Sequence, residues 1–181
     1  LMKLSFSTRG WADHSWDELV STALEMDFSG IEIHNPIINT VFTGKGGPLE
    51  RYNTQATARA LRDKGLCIPA LDSSVDISAG KEQIQAAKDL IDLAAAAGVE
   101  RVVVVAQNDD EDAIHAALAE LVPYAEASDV VLLIESSGIF SSTTRMAGIM
   151  DRYASDYLGT LWDVHNVYRT GGETPAQTVK N

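Results

Sequence analysis

Two hydrophobic rhythms alternate along this chain. Met2 to Thr8 reads as a short strand; after it Trp16, Leu19, Val20, Ala23 and Leu24 recur at the spacing of one helical face, with Ser15 placed to cap it. The pairing then repeats. "GIEIHN" precedes a helix expected over about Thr54 to Lys64 and closed by Gly65, and "LCIPALDSSV" precedes one over Lys81 to Ala97 closed by Gly98. "RVVVVA" precedes Glu111 to Ala127, where Ile114, Ala117, Leu118, Leu121 and Val122 share one side. "VVLLIESSG" precedes Thr143 to Ala154, and "LGTLWDV" is the sixth strand. The β-branched run from Val102 to Val105 predicts a strand buried on both faces, as in a parallel sheet covered by helices.

This succession predicts a parallel α/β architecture. The units have the length of TIM-barrel repeats, so the expected fold is a (β/α)8 barrel of which residues 1–181 carry about six units in a single domain. A doubly wound open sheet is the alternative, and it ordinarily opens on a glycine-rich phosphate turn. Here "STRGWADHS" has one glycine and no G-x-G-x-x-G, while "TGKGG" lacks the spacing and the Ser/Thr of a P-loop. An unclosed barrel would bare two sheet edges, so the sequence is expected to be C-terminally truncated, a fragment or the ordered part of a longer chain, with partner strands from another copy as a third option. The stretch from Asn35 to Tyr52 is expected at the C-terminal face, as a lid or a solvated excursion.

Composition narrows the partners. With 45% hydrophobic and 22% charged residues, the 181-residue chain has ordinary globular composition. No run reaches the roughly 20 apolar residues of a bilayer crossing and no signal-peptide pattern opens the sequence, so a cytoplasmic protein without a membrane partner is expected. A formal charge of -12, with no basic cluster, disfavours nucleic acid. The single cysteine, Cys67, lies between Leu66 and Ile68 and reads as core packing. Homo-oligomerisation stays open.

Barrels of this kind place chemistry where strands end, and polar residues gather there. They are Arg9 and Trp11 after the first strand, Glu32 and His34 on the second, Asp72 and Ser73 on the third, and Gln107 and Asn108 on the fourth. Glu135 follows on the fifth, with Asp163, His165 and Asn166 on the sixth. Glu135 is preceded by four apolar residues, so its carboxylate must be paired, hydrogen-bonded or metal-bound; a salt bridge inside the barrel is the alternative to a metal. Asp163 on the adjacent strand would set a second carboxylate beside it. Like charges that close call for a cation between them, and hard oxygen ligands suit Mg²⁺ or Mn²⁺. Glu32 and His34, two apart, share a strand face and are candidates for contact with a polar substrate, a buried and satisfied pair being the alternative. Trp11 either stacks on a ligand or closes the barrel mouth. His14 and His115 read as surface or capping residues, and Asp109 to Asp112 as a helix N-terminal acidic run.

These segments resemble the xylose-isomerase-like TIM-barrel superfamily, in its sugar phosphate isomerase/epimerase branch. "KLSFSTRGW" resembles its opening strand, "FSGIEIH" its second strand with an inward glutamate, and "LLIESSG" its metal-binding fifth strand. The most specific segment is "LWDVHNVYRTGGETP", similar to the family's WD-x-H-H-x-Y-R-x-G-E-x-P. The resemblance implies that Glu135 and Asp163 are two of four ligands to a divalent metal (Mn²⁺, Mg²⁺, Co²⁺ or Zn²⁺), the others coming from strands seven and eight. It places His165 at the first histidine of the family's pair, Asn166 where a substrate-contacting histidine is usual, and Arg169 near an anionic or hydroxyl-rich end of the ligand.

The activity so implied is metal-dependent isomerisation or epimerisation of a sugar, sugar phosphate or polyol by proton transfer through an enediolate, with Glu135 as acid or base. Dehydration of a cyclic polyol is a sibling outcome. The rival readings are a non-catalytic sugar-binding or structural module, to which Asn166 lends weight, and an apurinic-site endonuclease, against which the acidic charge speaks.

Overall fold

The β-branched run that reads as a doubly buried strand is one. In the computed structural model, which describes residues 2–181, Val102 to Ala106 are all buried at the centre of a six-stranded parallel sheet. Its strands are β1 (Ser5–Ser7), β2 (Gly30–His34), β3 (Leu71–Asp76), β4 (Arg101–Val105), β5 (Val131–Glu135) and β6 (Leu158–Leu161). They lie side by side in chain order. A doubly wound sheet reverses its order at a switch point, whereas a barrel adds each strand to the same side of the last. The fold is therefore TIM-barrel-like α/β, over about six βα units.

Among the described residues eight α-helices accompany the strands: α1 (Trp16–Glu25), α2 (Thr40–Thr43), α3 (Thr54–Asp63), α4 (Lys81–Ala97), α5 (Glu111–Ala127), α6 (Thr143–Tyr153), α7 (Val164–Arg169) and α8 (Pro175–Thr178). Ser15 caps α1 in a reciprocal box with Glu18, and Gly98 closes α4 in the left-handed conformation. The core lies between sheet and helices. Ile31, Ile33, Leu71, Val102, Val104, Leu132 and Ile134 face outward onto Leu90, Ile91, Ile114, Leu118 and Leu121, all in one buried cluster. Burying such side chains contributes about 1.5–3 kcal/mol each before the entropy of ordering them is set against it. Alternate strand residues face the barrel interior, which leaves that side free for polar groups.

Several expectations need correction. β3 begins at Leu71 rather than Leu66, because Pro69 supplies no donor for a ladder; the segment before it keeps only an isolated bridge between Gly30 and Cys67. Cys67 is exposed, at a cleft of about 570 Å³ on the N-terminal face, and so is not core packing. The excursion from Asn35 to Tyr52 is neither a free lid nor wholly solvated: α2 forms within it, capped by Asn39, and Phe42 and Leu49 are buried in the core. β6 stops at Leu161, so Asp163, His165 and Asn166 are not strand residues; Asp163 is a good helix cap, and its side chain starts α7 by accepting from the Asn166 N–H.

The turn after β5 depends on a backbone that an L side chain resists. Gly138 has φ +56°, and a Cβ added there would lie 2.3 Å from the Ala106 carbonyl oxygen. Gly138→Ala is therefore expected to destabilise the protein by at least about 1 kcal/mol, read as a lower urea midpoint at unchanged slope; a midpoint equal to the parent's would show that this turn tolerates rearrangement.

Candidate functional site at the C-terminal rim

Register decides which side chains meet. His34 lies opposite Asp72, Asp72 opposite Val103, Val103 opposite Leu133, and Glu135, two residues on, opposite Leu161. Partners in a parallel ladder share a face, and the neighbours of these residues in sequence are the outward-facing core. Glu32, His34, Asp72 and Glu135 thus all belong to the interior face, at the ends where the strands finish. β3 slips against β4 between Asp72 and Val75, which brings Asp76, on the same interior face, level with Val105.

Asp163 reaches the same rim from the loop after β6. Its N–H donates to the Ser136 hydroxyl at 2.8 Å, which fixes the loop against the end of β5. One carboxylate oxygen accepts from the Asn166 N–H at 2.9 Å and the other from the Asn166 side-chain amide, also at 2.9 Å. The same amide nitrogen lies 3.4 Å from Glu135 Oε1. The two carboxylates therefore converge on one donor. Burial pushes the Glu135 carboxyl above its ordinary range, the charges of Asp163 and Asp72 push the same way, and Ser137 and Arg9 oppose them. Glu32 is raised for the same first reason, burial, with Asp72 adding and Ser7, His34 and Arg9 opposing.

His34 is held from two sides. Its Nδ1 lies 2.7 Å from Asp72 Oδ2, and its backbone N–H donates to the buried Thr8 hydroxyl at 2.9 Å. Asp76 binds the β3 and β4 loops together, accepting from Ser78 and from the Gln107 N–H. Other candidates stand apart. His165 is exposed in the first turn of α7, and Arg169, exposed in its last turn, forms no ion pair among the described residues. Trp11 is half-buried, its ring 5.5 Å from Phe6, with His14 edge-on at 5.0 Å. Glu173 accepts from Thr143 at the start of α6 and so holds the segment after α7 in place. His115 packs against Tyr153, and Arg145 neutralises Asp109 and Glu111.

Asp72 and Asp76 are the rim residues that sequence reasoning left without a role. Asp72 carried a readable signal, since it ends an apolar run as Glu135 does. Asp76 carried none, because only the slip in β3 brings it level with Val105.

Two half-buried carboxylates face each other with a neutral amide between them; no group of three metal-ligating side chains comes together among the described residues. Because the folded chain raises the Glu135 pKa, ionising it costs stability as pH climbs through the carboxylate range and above. In metal-free buffer Glu135→Gln is therefore expected to raise the urea midpoint at pH 7, and the gain should vanish at a pH below the ordinary carboxylate pKa. A midpoint at pH 7 no higher than the parent's would show that the charge is already compensated.

Comparison with known proteins adds the family. Residues 20–181 match the model of the xylose isomerase-like TIM barrel. No curated protein matches the sequence. Among solved structures, the IOLI protein with a bound zinc atom is 18% identical at a TM-score of 0.79, over 99% of this chain and 68% of its own. The 3-keto-D-glucoside 4-epimerase YcjR from E. coli is 14% identical at 0.77, over 99% and 74%. The probable 3-DHS dehydratase AsbF of petrobactin synthesis in Bacillus anthracis is 17% identical at 0.75, over 94% and 66%. The chain thus spans 66 to 74% of the length of these three structures, and at such identities the likeness is one of fold. The family model, which covers nearly the whole sequence, and the consecutively ordered parallel sheet agree: this chain belongs to the xylose isomerase-like TIM barrel family.

Proposed function

We propose that the protein containing this chain is a divalent-metal-dependent isomerase or epimerase of a small sugar or polyol, and that Glu135 and Asp163 are its ligands from β5 and the β6 loop. The observation that carries this reading is the convergence of the two carboxylates on one point at the C-terminal rim, through the Asn166 amide. A cation there would offset the repulsion and burial that raise Glu135, and two hard oxygen donors suit Mn²⁺ or Mg²⁺, with Co²⁺ and Zn²⁺ added by the family resemblance. Fold neighbours that include an epimerase, a probable dehydratase and a protein with bound zinc give the reading support of a coarser kind.

In such a site the metal supplies Lewis acidity toward a carbonyl and its neighbouring hydroxyl. The chain's own residues do the rest. Glu135, raised by burial, is suited to take a proton from the carbon next to the carbonyl and to return it to that carbon or its neighbour. Asn166 holds the carboxylates in register, and Glu32, on the interior face of β2, is placed to accept from a substrate hydroxyl. His165, Arg169 and Trp11 remain candidates for contact with parts of the ligand beyond the reacting carbons.

Two measurements test the reading. Mn²⁺ is expected to raise the Tm of the metal-free protein, and Asp163→Asn to remove that shift; a Tm indifferent to the ion favours the non-catalytic sugar-binding module instead. Glu135→Gln is expected to lower turnover about 10²- to 10⁴-fold with far-UV circular dichroism unchanged, whereas retained activity would take Glu135 out of the proton-transfer role.

A further inference from the structure

We propose that His34 and Asp72 form a relay dyad for the oxygen-bound proton of an aldose–ketose isomerisation, with Nε2 of His34 touching the substrate and Asp72 as the positioning residue. The inference rests on the enediolate reading above and assigns a step that Glu135 leaves undone.

The geometry begins with Asp72. Its side chain is 8% exposed, and both oxygens are engaged: Oδ2 with His34 Nδ1 at 2.7 Å, Oδ1 with the Ser74 N–H at 2.8 Å. The second bond exists because β3 slips by two residues at Ser73 and Ser74, with Ser74 at φ +50°, so that the chain turns back on the carboxylate. A carboxylate held in this way only accepts, so the neutral imidazole carries its hydrogen on Nδ1 and presents a lone pair at Nε2. His34 is 14% exposed, and its backbone is pinned by Thr8. Nε2 is the one ring nitrogen left for a ligand, on the interior face that also carries Glu32 and Glu135.

Moving a carbonyl along a sugar displaces two protons. One leaves carbon and is the business of Glu135. The other sits on the hydroxyl oxygen that becomes the new carbonyl. In the proposed step that O–H bond breaks as Nε2–H forms, and Asp72 balances the imidazolium. As the enediolate collapses, the same proton passes to the oxygen that was the carbonyl, and the dyad ends as it began. No electrons leave the substrate and no co-reactant is consumed. A purely structural pair would tie β2 to β3 equally well but would have no bearing on which proton moves.

The test follows both protons in the Mn²⁺-loaded whole protein with D-fructose, D-tagatose and L-ribulose in D₂O. Wild type should place deuterium on carbon and release aldose. Asp72→Asn, and His34→Gln as a second variant that can still donate to Asp72, should lower aldose formation of order 10²-fold more than carbon exchange; Glu135→Gln should lose the exchange itself. Aldose formation undiminished in the folded variants overturns the dyad alone, and so does a wild type that exchanges carbon and yields epimers but no aldose. Absence of carbon exchange in wild type overturns the enediolate reading and the dyad with it. Independently, ¹⁵N shifts of neutral His34 should report hydrogen on Nδ1; the Nε2–H tautomer overturns the dyad whatever the activity.

Discussion

Everything at the rim follows from acidic side chains set on the interior face of a parallel sheet. Glu32, Asp72, Asp76 and Glu135 stand on strands whose other face carries Ile31, Ile33, Leu71, Val75, Leu132 and Ile134, and Asp163 joins them from the next loop. Charges placed there lose water, and each raises the cost of ionising the next. The chain answers in three ways. Asp72 is given an imidazole, Asp76 a ring of backbone and side-chain donors, and Glu135 and Asp163 share an amide. The first two answers are complete. The third is not, since one neutral amide serves two carboxyl groups side by side, and this is the part of the rim where the proposed cation would sit.

Fold and rim differed in how far they were legible. Strand order came through because β-branched runs such as Val102 to Val105 have no amphipathic helical reading, and because helices such as α4 and α5 carry long stripes of buried Leu, Ile and Ala between clear caps. The errors lie where short-range chemistry overrides periodicity. "LGTLWDV" looks apolar enough for a strand to run through Trp162, yet an aspartate followed three residues later by an N–H that needs an acceptor is also a helix start, and the cap wins. His165 is thereby carried to an exposed turn while Asn166 swings back to the carboxylates, so adjacent residues in the sequence take opposite fates.

Glu135 was legible because a lone carboxylate after four apolar residues is conspicuous in any register. The His34–Asp72 pair was not, since pairing needs the alignment of two strands whose connection spans α2 and α3, and neither residue signals the other. Cys67 shows the converse: an apolar neighbourhood in sequence does not bury a residue when the strand it seems to belong to has not yet begun.

The slip in β3 shows why a local irregularity can govern a site. In an unbroken strand Asp72 and Asp76 would stand four levels apart on the interior face, and Asp76 would lie past the end of β4, at the level of Gln107. Two extra residues bring it level with Val105 instead, where the Gln107 N–H reaches it. The same two residues release the Ser74 N–H from the ladder and turn it onto Asp72. One irregularity thus satisfies two carboxylates at once, Asp72 buried and Asp76 half-buried, at the cost of a single non-glycine residue at positive φ. Straightening β3 would leave both acids short of donors, so the bulge is best understood as the condition under which this strand can carry two charges at the mouth of the barrel.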